Sequence, residues 1–535
     1  MKVSGIRCAR GEQARPGIML LRLCAFAAVV LLGTIVMVPR VAAHVGSPDV
    51  YFQGSAGPYQ LIVTVRTPPM IPGVSDVEVL SATPGISQVT IVPIYIVGPG
   101  AKYPPAGDVL AQSKDDPQYF SGKIWLMESG SWEVRVQVSG TRGFGEMAVP
   151  VPAFARSTLP MQKGLGILLF CLMLLLFAAI ISIMGAARRE GALEPGEQPG
   201  PVQKRRARIV MAGTGIIFLA VLAFGDSWWN SEARATAAKM IYTPPPLAVS
   251  LEPGGNLLLQ MGDSKWHDER PDTVMTGLIP DHGYLMHLFL VRLPDMDRFY
   301  HLHPNMTADN RFTIALPSVP AGRYQVFADV VRKSGFPDTM VAQIDLPDIA
   351  GVPLAGDNSS AVAPPLVQPV GAQDGDDAVF ALPDGYRMVW ERGSGPMPSN
   401  QFLWLRFKLE DANGKPATGV QRYMGMAGHA EIVRADRSVF AHIHPDGSVA
   451  MAALMLARQT SGLSWSALSN DSETHTQDGA VQGMRPMTGM APESTAIPPE
   501  VAFPYGFPKA GTYRIFVQMR RGNQIETGVF DAAVE

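Results

Sequence analysis

The stretch Met286-His287-Leu288-Phe289-Leu290-Val291-Arg292-Leu293-Pro294-Asp295-Met296-Asp297-Arg298-Phe299-Tyr300-His301-Leu302-His303-Pro304 reads as two apolar strands around a polar turn. It returns as Gly428-His429-Ala430-Glu431-Ile432-Val433-Arg434-Ala435-Asp436-Arg437-Ser438-Val439-Phe440-Ala441-His442-Ile443-His444-Pro445, with the turn at Ala435 to Arg437. In each copy a His-x-His pair closes the second strand, and residues two apart on a strand share a face. With the turns centred near Asp295 and between Asp436 and Arg437, His287 falls opposite His303 and His429 opposite His444. Opposed Cβ atoms are about 5 Å apart. Each hairpin therefore predicts a patch of three imidazoles: His287, His301 and His303 in one, His429, His442 and His444 in the other. Six of the ten histidines lie in these two hairpins.

Outward from the hairpins, the same β pattern fills most of the chain. The first hairpin belongs to a segment of about 245–350, opened by the Pro-rich linker Thr243 to Pro246. A second linker, Gly356 to Pro369, leads to a segment of about 371–535 that holds the second hairpin. Both segments carry Ala-Gly-x-Tyr before alternating apolar residues, at Ala321 to Tyr324 and Ala510 to Tyr513. Residues 44–160 alternate in the same manner, with Gly130-Ser131-Trp132 in the corresponding place. Three related β-sandwiches are predicted, with the histidine hairpin only in the last two. The segment of about 455–500, which holds His475, Met484, Met487 and Met490, reads as a long polar loop.

Two apolar runs interrupt this β pattern. Gly164 to Ala186 is long enough to span a bilayer, and a shorter run at 209–225 adjoins Trp228 and Trp229. Between them, 187–208 carries Arg188, Arg189, Lys204, Arg205, Arg206 and Arg208, which the positive-inside rule places in the cytoplasm. A transmembrane helical hairpin with large domains on the far side is expected. Residues 1–43 agree: a basic start, an apolar run and Val41-Ala42-Ala43 read as a signal peptide or an N-terminal anchor. Cleavage there would make His44 the first residue, whose α-amine and imidazole together chelate copper.

Composition narrows the chemistry. A net charge of −3 gives no basic signature, so nucleic acid is not an expected partner. The three cysteines, Cys8, Cys24 and Cys171, lie in or beside the export or membrane segments, which excludes a disulfide scaffold. A metal site must then use His, Met, carboxylate or backbone. Imidazole suits zinc, copper, iron or nickel, and thioether sulfur selects Cu(I). With 27 methionines in the chain, and Met424 and Met426 just upstream of His429, copper is the expected ion. Met286 points away from its neighbour His287 and reads as a core or interface residue, while His267, His282 and His475 have no partner pattern. There is no Gly-x-Ser-x-Gly, His-Glu-x-x-His or Walker loop.

Phe407-Lys408-Leu409-Glu410-Asp411-Ala412-Asn413-Gly414-Lys415-Pro416, Met424-Gly425-Met426-Ala427-Gly428-His429 and Phe440-Ala441-His442-Ile443-His444-Pro445-Asp446-Gly447 resemble the YtkA-like domains of bacterial copper-handling and membrane-associated proteins. The resemblance covers about 400–450 and, more loosely, 285–330. It implies an immunoglobulin-like or cupredoxin-like sandwich with copper-linked function through His429, His442 and His444. His44 is similar to the start of CopC-type copper-resistance proteins, although those use a further His in the same domain and this segment has none. The expectation is a bacterial inner-membrane protein that holds copper on the periplasmic side for storage, delivery or tolerance. Its expected partners are the lipid bilayer and a periplasmic or membrane copper-handling protein. A metal-free cell-envelope interaction protein and a copper-dependent oxidoreductase are the alternatives.

Overall fold

The alternation in Tyr59-Gln60-Leu61-Ile62-Val63-Thr64-Val65 becomes a strand whose odd members, Leu61, Val63 and Val65, are all buried. The computed structural model describes residues 49–270, 276–366, 377–393, 396–462 and 496–535. The export segment, His44, His475 and the methionines at 484, 487 and 490 lie outside these. Over 50–153 one antiparallel sheet runs in the order Val50–Ala56, Tyr59–Arg66, Gly73–Ser81, Tyr119–Leu126 and Ala111–Gln112. A second joins Asp108–Val109, Ile86–Tyr95, Gly130–Gly140 and Gly143–Ala153. Val63 and Phe120 from the first sheet and Val89 and Val136 from the second meet in one apolar cluster. The protein is mainly β, built from several antiparallel sheets.

Lys163–Glu190 and Pro201–Met240 are two helices long and apolar enough to cross a membrane. They pack against each other, with Phe177 stacked on Phe218 at 4.6 Å. Both exceed the expected spans, and the second continues through Trp228 and Trp229 to Met240. The basic residues expected in the loop 187–208 instead sit largely on helix. Arg188 and Arg189 are in the last turn of the first, where a cation complements the helix dipole. Lys204 to Arg208 belong to the start of the second.

The second β module pairs a four-stranded sheet, led by Leu247–Glu252, with a six-stranded one containing His287–Leu293, Arg298–Leu302 and Gly322–Arg332. Its limit of about 350 needs correction. Ser359–Val362, inside the expected linker, pairs with Arg298–Leu302 and sets His301 beside Ser359. The third module repeats the plan, with His429–Arg434, Phe440–Ile443 and Gly511–Arg521 in one sheet. Its expected long loop begins instead as the helix Met451–Ser461, which lies against the first module near Ile96 and Glu133.

One corner recurs in all three modules. The Tyr324 hydroxyl donates to the Pro320 carbonyl (2.8 Å), Tyr513 to Lys509 (2.6 Å), and the Trp132 indole N–H to Glu128 (2.9 Å). The partner is four residues back each time. Gly322, Gly511 and Gly130 precede these rings at φ of 157°, 135° and 147°, a region that glycine occupies without steric cost.

The histidine-bearing sheets of the second and third modules face each other. Register makes Phe299 the counterpart of Phe440, and Phe327 that of Phe516. Across the interface Phe299 stacks on Phe516 (4.1 Å, 12°) and Phe440 on Phe327 (4.2 Å, 11°). Each pair is thus the other's image under a pseudo-twofold. The first module clamps the turn after the second His-x-His: Gln53 N–H donates to the Asp446 carbonyl (2.8 Å) and Ser448 N–H to that of Tyr51 (2.9 Å). Gly447 is required there, because a Cβ would lie 1.9 Å from the Tyr51 oxygen.

Candidate metal centre

The hairpin registers are those read from the sequence: Phe289 pairs with His301, and Glu431 with His442. The face that carries the imidazoles is turned into the module interface, so the histidines are buried rather than presented to solvent. His287, His301 and His303 form one group whose candidate ligand nitrogens all lie within 4.8 Å of one another. The second such group is His282, His429 and His444. The expected second triad is therefore corrected, with His282 from the second module in the place assigned to His442.

His282 enters from the turn Asp281-His282-Gly283-Tyr284, where His282 and Gly283 both have positive φ (49° and 89°). Met424 and Gly425 repeat this (48° and 84°) in the turn Tyr423 to Met426. His282 precedes His287 by five residues, as Met424 precedes His429, and this equal spacing is the signal that could have marked it. The two turns meet, with His282 Nδ1 2.9 Å from the Met424 carbonyl.

Hydrogen bonds set the tautomers, because an oxygen acceptor obliges the facing ring nitrogen to carry the proton. His282 Nδ1 donates to Met424 O, His444 Nδ1 to Val449 O (3.1 Å), and His287 Nε2 to Asp281 O (3.1 Å). His301 Nδ1 donates to Gln518 Oε1 (2.9 Å) and His303 Nδ1 to Asn358 Oδ1 (3.0 Å). The opposite nitrogens are left with bare lone pairs that converge. His287 Nδ1 lies 3.1 Å from His301 Nε2, and His282 Nε2 lies 3.2 Å from His444 Nε2. Two lone pairs at that distance repel unless a cation sits between them. Two ligands at about 2.0–2.1 Å from one tetrahedral ion stand roughly 3.3 Å apart, close to both separations.

Burial favours the neutral form throughout. It holds His301, His303, His429, His442 and His444 well below the usual imidazole range and His287 below it, with neighbouring imidazoles adding in the same direction. Neutral imidazole is the ligating form, so the site is held ready for metal at neutral pH.

The remaining candidates divide. The His442 side chain, 6 % exposed, lies between the groups, its ring 4.7 Å from that of His444 and 5.3 Å from that of His287. Met424 is buried at its turn, whereas Met426 packs among Val449, Met451 and Leu454 in an apolar cluster. Met286 is in the apolar core of the second module. His267 bonds Asp338 through Nε2 at 2.9 Å in a buried network with Tyr242 and Arg332, apart from the two histidine groups. A cavity of about 120 Å³ where the three modules meet is lined by His287, His442, His444, Asp281 and Asp329, with Asp49 of the first module.

No curated protein matches the chain. Among solved structures, a bacterial ice-binding adhesin is 6% identical, with 87% of this chain and 91% of that one covered and a TM-score of 0.13. Escherichia coli alpha-2-macroglobulin activated by porcine elastase is 9% identical, covering 89% and 44%, at a TM-score of 0.18. A tetra-tandem repeat from a large adhesion protein is 8% identical, covering 87% and 96%, at 0.16. Likenesses this distant decide neither architecture nor activity. Residues 380–535, the module with the second histidine hairpin, match a domain of unknown function, DUF8832.

Proposed function

We propose that this is a membrane-anchored copper-binding protein of the bacterial inner membrane, which serves copper storage, delivery or tolerance on the periplasmic side. In this reading the two long helices span the bilayer, and three immunoglobulin-like or cupredoxin-like β-sandwiches stand outside it. One ion sits in each triad, His287–His301–His303 and His282–His429–His444. The observation that carries the reading is the pair of buried contacts in which unprotonated ring nitrogens face each other at 3.1 and 3.2 Å. A proton there would place a charge in an apolar interface that already depresses imidazole basicity. A metal ion supplies the same positive charge with several bonds. Copper is favoured over structural zinc by the absence of cysteine outside the membrane and export segments and by the buried Met424 at the junction.

The test is metal content of the full-length protein in detergent, loaded separately with Cu(I) and Cu(II). At least two ions per chain are expected. Replacing His301 and His303, together with His282 and His444, by alanine should remove both triad ions. A copper content unchanged by the four substitutions would sink the assignment. The cavity beside His287, His442 and His444 favours a second reading, a copper-dependent oxidoreductase that admits a small molecule there. Copper-dependent turnover of a small substrate would support it.

A further inference from the structure

The pseudo-twofold between the two histidine sheets is broken at a buried cross-strand pair beside the triads. In the second module Phe289 stands opposite His301; the equivalent pair in the third module is Glu431 and His442. Glu431 is fully buried, and neither of its carboxylate oxygens has a hydrogen-bond partner. His442 Nε2 also has none and lies 4.0 Å from Glu431 Oε1. His301 Nδ1, 3.6 Å from the same oxygen, gives its proton to Gln518. On the far side of the His442 ring, Nδ1 is 3.7 Å from Asp329 Oδ2. When Asp329 is ionised it favours a proton on Nδ1, which turns the Nε2 lone pair toward Glu431.

A buried carboxyl without donors is strongly disfavoured as the anion and takes up either a proton or a metal cation. Phenylalanine at the matching place in the second module indicates that the fold does not need a carboxylate there. A separation of 4.0 Å spans two metal–ligand bonds of about 2.0–2.2 Å set nearly opposite each other across one ion, wider than the tetrahedral spacing of the triads. On these grounds we propose a third cation position, between Glu431 and His442, which takes a divalent metal ion and connects the two triads. It rests on the triads being metal sites and adds a place for an ion to pass between them. One nitrogen and one carboxylate suit Cu(II) or Zn(II) better than Cu(I). With only two protein ligands the position holds its ion more loosely than a triad does, as a point of transfer requires. Asp329, with its side chain 21% exposed, lines the cavity and marks the side from which an ion reaches His442.

The experiment is equilibrium dialysis of the full-length protein in detergent against Zn(II) and, separately, Cu(II), with metal and protein counted after equilibration. Three ions per chain are expected for the wild type and two for Glu431→Gln and for His442→Ala. The melting temperature of the metal-free protein is read alongside. It should stay level in Glu431→Gln, because the amide is a neutral isostere of the protonated carboxyl that burial favours in the metal-free protein. Two ions in the wild type and in both variants would overturn the third position and leave the triads standing. A count that falls to one in Glu431→Gln would make Glu431 part of a triad and overturn it equally. No bound ion in the wild type would remove both readings.

Discussion

At His282 one imidazole crosses from its own module to complete the site of the next. The metal-binding consequence is specific: His282→Ala should lower bound copper by one ion while the His287–His301–His303 group keeps its own. Copper content and a competition titration of the variant would check it. An unchanged count would return the site to His442. The outer partners are testable too. Gln518 fixes the His301 tautomer and is itself held by Ser359 at 2.6 Å. Gln518→Ala should weaken copper at the first triad by about 10–100-fold, the usual consequence of losing such a partner, with the fold kept. At this scale the sequence was informative where periodicity governs. Alternation by two, together with the turn position, placed five of the six histidines of the two groups and the register of both hairpins. His282 escaped because a left-handed turn has no periodicity, and its role depends on how two modules meet.

Between elements, the stacked rings Phe299–Phe516 and Phe327–Phe440 set the distance between the histidine sheets. Truncating a buried Phe costs about 3–5 kcal/mol through lost burial and the cavity left behind. Phe516→Ala should therefore destabilise the metal-free protein by that amount in chemical denaturation. It should also weaken the His282–His429–His444 site more than the other, because only that site draws ligands from both modules. Equal losses at the two sites, measured in His301→Ala and His282→Ala backgrounds, would refute an interface-dependent site. Elements with strong patterns were legible: the long strands, the apolar helices and the Gly-x-Tyr corners. Ser359–Val362 was not, since four residues in a Pro- and Ala-rich stretch show no pattern, and the sheet edge beside Arg298–Leu302 recruits them. The helix Met451–Ser461 was hidden for a related reason. Its first turn, Met451, Ala452, Ala453 and Leu454, is buried all round with no one-sided pattern, and Asp281 of the second module accepts from the Ala452 N–H (2.7 Å).

For the molecule as a whole, the cluster links folding, acidity and metal. Six imidazoles, at 287, 301, 303, 429, 442 and 444, have folded-state pKa values below the 6.5 of an unperturbed histidine. Below pH 6.5 the unfolded chain binds protons that the folded one refuses, so their contribution is present above that pH and is lost as pH falls. Glu431 and Asp329 work in the opposite sense. Burial pushes both carboxyls up, Asp329 to about 7, so they keep protons when folded and partly offset the loss. The six histidines outnumber these two carboxyls, so the cluster as a whole loses stability as pH falls below 6.5, against a total of only about 5–15 kcal/mol. The metal-free protein should therefore become less stable as pH falls below 6.5. Bound metal keeps its ligand imidazoles unprotonated and shifts the transition to lower pH, where metal release and unfolding should coincide. Intrinsic tryptophan fluorescence against pH, with and without copper, measures both transitions. A metal-free protein that keeps its native emission at pH 4.5, or a midpoint that copper leaves unmoved, would mean that the imidazoles do not couple folding to metal.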